Sequence, residues 1–326
     1  MRILFKTNYK QDLNLAKHGG HRFWYGLLIL VLFTVPLIFD GYYIGEATRI
    51  LIYAMAGLGL MVLTGFTGQV SLGHAAFLAI GAYTNAWFLA QGFSSFVALP
   101  MAALLSMIGG LLVAIPAARM SGIYLAIATL AFAIIVEDVA GHLSSITGGN
   151  RGMMVDVPIL FGYQIWESWE LYLFVLSILV AATLAVLNIL RSPLGRAMIA
   201  VRESEVSSQA LGVNPMKIKV FAFTVSAAIT GLAGAFLAHY MSFLTPQIFG
   251  ILLSIQLLLM IVLGGLGTVH GVFFGAVLIG LLETGISIAK DSLPSSIGGL
   301  PGIEPFIFGA IPVSYTHLTL PTILLV

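Results

Sequence analysis

The chain has 326 residues, of which 59% are hydrophobic and 8% charged, with a formal net charge of +1 and a mean hydropathy of +1.04. So much apolar surface cannot be hidden inside a water-soluble globule of this length, and no basic cluster interleaved with aromatics points to a nucleic-acid partner. Cysteine is absent, which excludes disulfides, thiolate metal sites and a cysteine nucleophile.

A helix crossing hydrocarbon needs about 20 mostly apolar residues, which leaves room for roughly nine or ten spans. The apolar runs are too long for the alternating short strands of an outer-membrane barrel. The expected fold is all-α: a polytopic helical bundle embedded in the lipid bilayer, with about nine complete spans, a truncated tenth, and helices broken at glycine-rich stretches.

Residues 1–22 are polar and basic, with Lys6, Lys10, Lys17 and Arg22 ahead of the first apolar run, so they read as a segment preceding an uncleaved anchor. The membrane domain is expected over 23–311, with spans at 23–39, 50–65, 75–90, 97–115, 122–136, 170–190, 220–241, 251–263 and 272–289, and a tenth beginning near Pro305. Tyr42, Tyr43, Trp87 and Trp169 stand where aromatic residues anchor helix ends at the interface. With the N-terminus placed inside the cell, alternate loops put 11 of the 14 basic residues on the cytoplasmic side. Asp40, Glu46, Glu137, Asp138, Asp156, Glu167, Glu170, Asp291 and Glu304 fall on the other side, accompanied by Arg49, Arg151 and Lys290.

Gln69, Ser71 and His74 lie in a glycine-bounded turn between two spans, where a broken helix exposes backbone groups that need partners. They are candidates for lining or gating a pathway, or for holding the turn together. Tyr124 and Thr129 offer hydroxyls to the same purpose or to helix packing. Glu283 falls inside a predicted span, past its midpoint, and an ionisable group there is costly enough to be a functional candidate. The 36 glycines point to close helix packing, as in the pairs Gly271/Gly275 and Gly231/Gly234. Residues 62–68, VLTGFTG, and 262–267, VLGGLG, are partly alike and each ends a span, the kind of weak internal repeat found in transporters. Neither HExxH nor any other histidine or carboxylate ligand set occurs, so no metal site is expected.

Residues 191–219 form the long interior hydrophilic segment that concentrates positive charge. Ser192 can cap a helix beginning at Pro193, and Gly212 with Asn214-Pro215 can stop it, so one short helix is expected there. Leu194, Met198 and Val201 share a face, whereas Arg196, Arg202, Glu203 and Glu205 occupy others. The pattern alone leaves two readings open, a solvated linker and a docking helix.

Five stretches carry a resemblance: TGFTGQVSLGHAAFLAIGAYTNA at 64–86, SGIYLAIATLAFA at 121–133, TGGNRGM at 147–153, GRAMIAVRESEVSSQALGVNPMKIKVFAFTVSAAITGLAGA at 195–235 and GGLGTVHGVFFGAVLIG at 264–280. In this order they resemble the permease subunit of branched-chain amino-acid ABC importers. The resemblance implies a multi-pass protein of the bacterial inner membrane with a cytoplasmic N-terminus. It implies a second similar permease, two cytoplasmic ATP-binding subunits that use ATP and Mg, and an extracytoplasmic substrate-binding protein. It also makes 191–219 the cytoplasmic coupling loop, with Arg202, Glu203, Ser204, Glu205 and Gly212 as ATPase-contacting residues. The generic importer loop carries Glu-Ala-Ala six residues before its glycine, whereas Val206, Ser207 and Ser208 stand here, with the acid displaced to Glu203 or Glu205. No GxxxxGK[ST] phosphate loop occurs, so this chain is expected to be a transport subunit without cofactor or ATPase site of its own.

The substrate expected is a branched-chain amino acid; urea or short amides are the alternative within the family, and an ion-coupled secondary transporter is the alternative outside it. An intramembrane enzyme is disfavoured because nothing assembles a nucleophile, base and oxyanion site. The ending PVSYTHLTLPTILLV lacks the family's basic tail, so 312–326 is expected to be non-native.

Overall fold

The computed structural model describes residues 19–160 and 162–292. The tenth span, the 312–326 tail and residues 1–18 of the leading segment lie outside the described residues. Among those described, the long helices are α1 (Gly19–Ile38), α2 (Gly41–Leu60), α3 (His74–Ala90), α4 (Ser95–Ala117), α5 (Ile123–His142), α6 (Ser168–Arg191), α9 (Pro215–Met241), α10 (Ile251–Gly264) and α11 (Val269–Ser292). Two short helices, α7 (Pro193–Glu203) and α8 (Glu205–Ala210), occupy the hydrophilic interior segment. Each long helix overlaps one predicted span. Seven helical segments among the described residues are long and apolar enough to cross a membrane, α2 counted with its continuation to Gly65 and α10 with the 3-10 turn Pro246–Phe249 that precedes it.

α9 is the centre of the bundle and packs against α2, α3 and α4. Its small residues permit this: a Cβ on Gly81 of α3 would lie 2.0 Å from the Gly231 carbonyl oxygen, and one on Gly110 of α4 would lie 2.3 Å from the Ala227 Cβ. Such approach brings backbone against backbone, where dispersion replaces the hydrophobic effect that lipid cannot supply. Gly271 and Gly275 play the same part between α10 and α11, where a Cβ on Gly275 would meet the Met260 carbonyl oxygen at 2.0 Å.

The loops gather at opposite ends of the bundle. At one end, strand β1 (Met153–Met154) pairs antiparallel with β4 (Phe243–Leu244), and the hairpin of β2 (Ile159–Leu160) and β3 (Tyr163–Gln164) lies between them in sequence. At the other end, α7 packs against the turns that follow α2 and α10.

Two expectations are corrected. α2 begins at Gly41, well before residue 50, so Glu46 and Arg49 belong to a helix and not to an outer loop. The helix can carry them because Arg49 pairs with Glu46 at 2.5 Å and with Glu283 of α11, which neutralises charge that sequence order assigned to water. The single helix expected from Pro193 to Gly212 is instead two helices, interrupted at Ser204. This residue adopts an extended conformation (φ −162°, ψ 115°), and its hydroxyl accepts from the Ser207 N–H at 3.2 Å, capping α8 as Ser192 caps α7.

Candidate functional site

The chain leaves α2 through a π-helical turn, Met61–Gly65, and re-enters as α3 only at His74. His74 bonds to Ser226, and Asn85, farther along α3, bonds to His239 of α9, so the two helices run in the same direction. Ser226 stands 11 residues into α9, a depth of about 16 Å. α3 therefore starts inside the bundle, and the segment between Gly65 and His74 folds back to reach it.

That geometry requires the backbone of 66–73 to find partners away from water. The Leu72 N–H donates to Thr129 Oγ1 at 3.0 Å, Gly73 N–H to Ser71 Oγ at 3.3 Å, and Ala75 N–H to Ser254 Oγ of α10 at 3.1 Å. Thr129 in turn donates to the Ala126 carbonyl at 3.0 Å. On the other side of the turn, Thr64 Oγ1 donates to the Gln69 carbonyl at 3.0 Å, and the Gln69 N–H to the Leu63 carbonyl at 3.3 Å.

His74 is fully buried and both its ring nitrogens are engaged. The partners fix its tautomer: Ser226 Oγ donates to the Gly59 carbonyl at 2.6 Å, so it accepts from His74 Nε2–H at 2.7 Å, and Nδ1 accepts from Ser71 Oγ at 3.1 Å. The result is a directed chain of hydrogen bonds, Ser71 to His74 to Ser226 to Gly59, which joins the re-entrant segment to α9 and α2. Gln69 is also buried, and its Oε1 lacks a protein partner.

The fold thus brings Ser71, His74 and Thr129 together with Gln69 nearby, and adds Ser226 and Ser254. Their single weak signal in the sequence is a hydroxyl within an apolar helix. Tyr124 lies apart, at the start of α5 and 74% exposed. Glu283 is also elsewhere, held by Arg49 and Gln256, while Glu46 accepts from Thr284 at 2.9 Å.

At the loop end, α7 and α8 are fixed on the bundle. Met198 and Val201 are buried, whereas Leu194 of the same predicted face is exposed. Arg202 Nη1 donates to the Gly65 carbonyl at 2.8 Å, and Lys219, itself buried, pairs with Glu205 at 2.5 Å. Val206 and Leu211 project outward at 79% and 82% exposure, with Glu203 and Glu205 beside them. Gly212 adopts φ +83°, and a Cβ added there would meet nothing within 4 Å, so its requirement is conformational, not steric. Gly212→Val is expected to cost about 1–2 kcal/mol through a left-handed conformation that branched residues resist. A melting temperature equal to that of the unaltered chain would show that the stop tolerates the change.

The fold and site define a multi-pass helical membrane protein with an interrupted helix inside and two anchored short helices at one end. The chain belongs to the family described as the permease component of branched-chain amino acid transport systems, whose match covers residues 42–313. It is similar to the high-affinity branched-chain amino acid transport system permease protein LivM of Salmonella typhimurium, 37% identical over 258 residues that cover 72% of this chain and 61% of the relative. It is also similar to the permease protein LivH of the same organism, 22% identical over 77% of this chain and 85% of the relative. BraD of Pseudomonas aeruginosa is 27% identical over 71% of this chain and 80% of its own length. The chain spans 61% of the length of the LivM relative. No solved structure matches it.

Proposed function

We propose that this chain is the membrane-spanning permease subunit of an ATP-driven importer for branched-chain amino acids, forming the translocation pathway with a second, homologous permease. The observation that carries this reading is the pair α7–α8: two capped helices fixed to the bundle by buried apolar residues, Arg202 and the Glu205–Lys219 pair, while Val206 and Leu211 remain exposed. An ATPase can move a permease only if its states hold the contact differently, and a lever fixed at its base transmits such a difference where a loose linker absorbs it. Similarity to both LivM and LivH of one organism supports a pair of related permeases.

In this reading α7–α8 face the cytoplasm, as does the N-terminus, and the chain lies in the bacterial inner membrane with nine crossings and a tenth beyond the described residues. Two cytoplasmic subunits bind ATP and Mg, an extracytoplasmic protein delivers the substrate, and this chain holds no cofactor. Glu203, Ser204, Glu205 and Gly212 shape the ATPase contact. Gln69, Ser71, His74 and Thr129 give the pathway its polar element: three form the scaffold, and the unpartnered Gln69 oxygen is the group that a passing ammonium can use. Tyr124, exposed at the start of α5, offers its hydroxyl to the part of the pathway that is shared with the second permease.

The test is co-expression with the neighbouring genes, pull-down on this chain, and ATP hydrolysis with and without a loaded binding protein. Recovery of two ATP-binding subunits with stimulated hydrolysis is the expected result. A chain that purifies alone and takes up leucine under an ion gradient would overturn the importer reading.

A further inference from the structure

We propose that Arg202 is a positioning residue of the transport cycle, tying the end of α7 to the glycine turns at 65–68 and 265–267 so that movement of α7–α8 reaches the re-entrant segment ahead of α3. The proposal rests on the importer reading above and names the route by which its lever acts. It also gives Arg202 a role inside the chain in place of the ATPase contact expected from the sequence.

The guanidinium has two engaged edges. Nη1 donates to the Gly65 carbonyl at 2.8 Å, while Nε and Nη2 donate to Glu203 Oε1 at 3.2 and 2.7 Å. Gly65 closes the π-turn at the C-terminal end of α2, where carbonyls lack helical partners and carry partial negative charge. Glu203 holds the fork in plane, and a lysine ammonium cannot serve both directions from one rigid group.

The turns are shaped around this side chain. A Cβ on Gly68 would lie 3.0 Å from Arg202 Cγ, and one on Gly267 would lie 2.8 Å from Nη1. The turns also touch each other: the Gly267 N–H donates to Met61 Sδ at 3.2 Å, and a Cβ on Gly65 would lie 3.0 Å from the Gly267 nitrogen. These are the partly repeated VLTGFTG and VLGGLG stretches, brought side by side. One arginine side chain thus meets three elements, its guanidinium at the end of α2 and the turn between α10 and α11, and its alkyl stem at Gly68 at the start of the re-entrant segment.

From Gly65 the connection continues into the site. Thr64 and Leu63 hold Gln69, and Leu72 is held by Thr129. The base of α7–α8 is clamped by Met198, Val201 and the Glu205–Lys219 pair, so a push on these helices falls on the Arg202 contact.

The experiment uses the complete complex in proteoliposomes, with leucine as probe and with uptake, ATP hydrolysis and subunit recovery measured together. The unaltered complex is assayed first; if it recovers no ATP-binding subunits, the importer reading fails before Arg202 is tested. Arg202→Gln and Arg202→Lys should retain the ATP-binding subunits and hydrolysis while leucine uptake per ATP falls about tenfold, the effect of losing one charged hydrogen bond. Unchanged uptake per ATP, or loss of the ATP-binding subunits in proportion to lost uptake, would overturn the proposal.

A second measurement covers variants that fail to fold. A Cβ on Gly68 would lie 3.8 Å from the Arg202 Cβ, the separation typical of a disulfide, and the chain has no other cysteine. In Gly68→Cys/Arg202→Cys, oxidation should restore uptake per ATP relative to the reduced form by replacing the strut with a covalent one. Uptake per ATP that is insensitive to oxidation of a verified cross-link would refute the strut.

Discussion

Gly81→Val is expected to remove the folded protein from the membrane, with a loss of more than about 3 kcal/mol of stability. A Cβ at this position would stand 2.0 Å from the Gly231 carbonyl oxygen and 2.6 Å from its carbonyl carbon and Cα. These are backbone atoms at the centre of α9, so no side chain can rotate aside. The helices would have to separate, and separation would also break the His74–Ser226 and Asn85–His239 contacts that depend on the same approach. Gly26→Ala is the control, since its Cβ would meet nothing within 4 Å. Fluorescence-detected size-exclusion chromatography with a thermal ramp should show a monodisperse, unshifted Gly26→Ala protein and little or no Gly81→Val protein. A stable, unshifted Gly81→Val peak would mean that α3 and α9 do not pack as described.

Sequence is most informative where one physical quantity dominates. Lipid demands long apolar runs, and each of the nine predicted spans overlaps a helix, because hydrophobicity is a local property that needs no partner. Boundaries failed where charge is neutralised by a distant residue. Glu46 and Arg49 looked like loop residues until Glu283 supplied the missing half of the pair, and nothing near residue 49 announces residue 283. The interruption at Ser204 was more accessible, since serine followed by an acid is an ordinary helix start. The longer cap-to-stop pattern from Ser192 to Gly212 obscured it.

The site was legible in outline only. Glycine-bounded polar residues at 69–74 marked an interrupted helix, and there Ser71 bonds His74 while Thr129 holds the Leu72 N–H between them. Ser226 and Ser254 were invisible because their helices are otherwise apolar and their role depends on which helix lies opposite. The same limit applies to Arg202. Its position on a charged amphipathic helix says that it is near water, but only the packing of two glycine turns shows that it turns inward.

Arg49→Met should destabilise the protein by about 3–5 kcal/mol, the cost of leaving partly buried charge without its partner. Arg49 is 13% exposed and Glu283 17%, and the guanidinium also reaches the Gly280 carbonyl and Thr284 Oγ1 at 3.4 and 3.3 Å. It therefore fastens α11 to α2, with Gln256 of α10 bonded to the same Glu283 carboxylate. Without it, Glu46 and Glu283 face each other across Thr284 as like charges in a medium that cannot solvate them. Glu283→Gln should cost less, because Arg49 keeps Glu46 and the amide can still meet Gln256. Arg49→Met/Glu283→Met should then cost less than the two single changes added together, the signature of a direct interaction in a double-mutant cycle. Melting temperature and leucine uptake per folded molecule separate structure from coupling. If this cluster fastens the helices, Glu283→Gln lowers the melting temperature while uptake per folded molecule is preserved. If it carries a coupling ion, Glu283→Gln abolishes uptake at unchanged stability, and the importer reading gives way to a gradient-driven carrier.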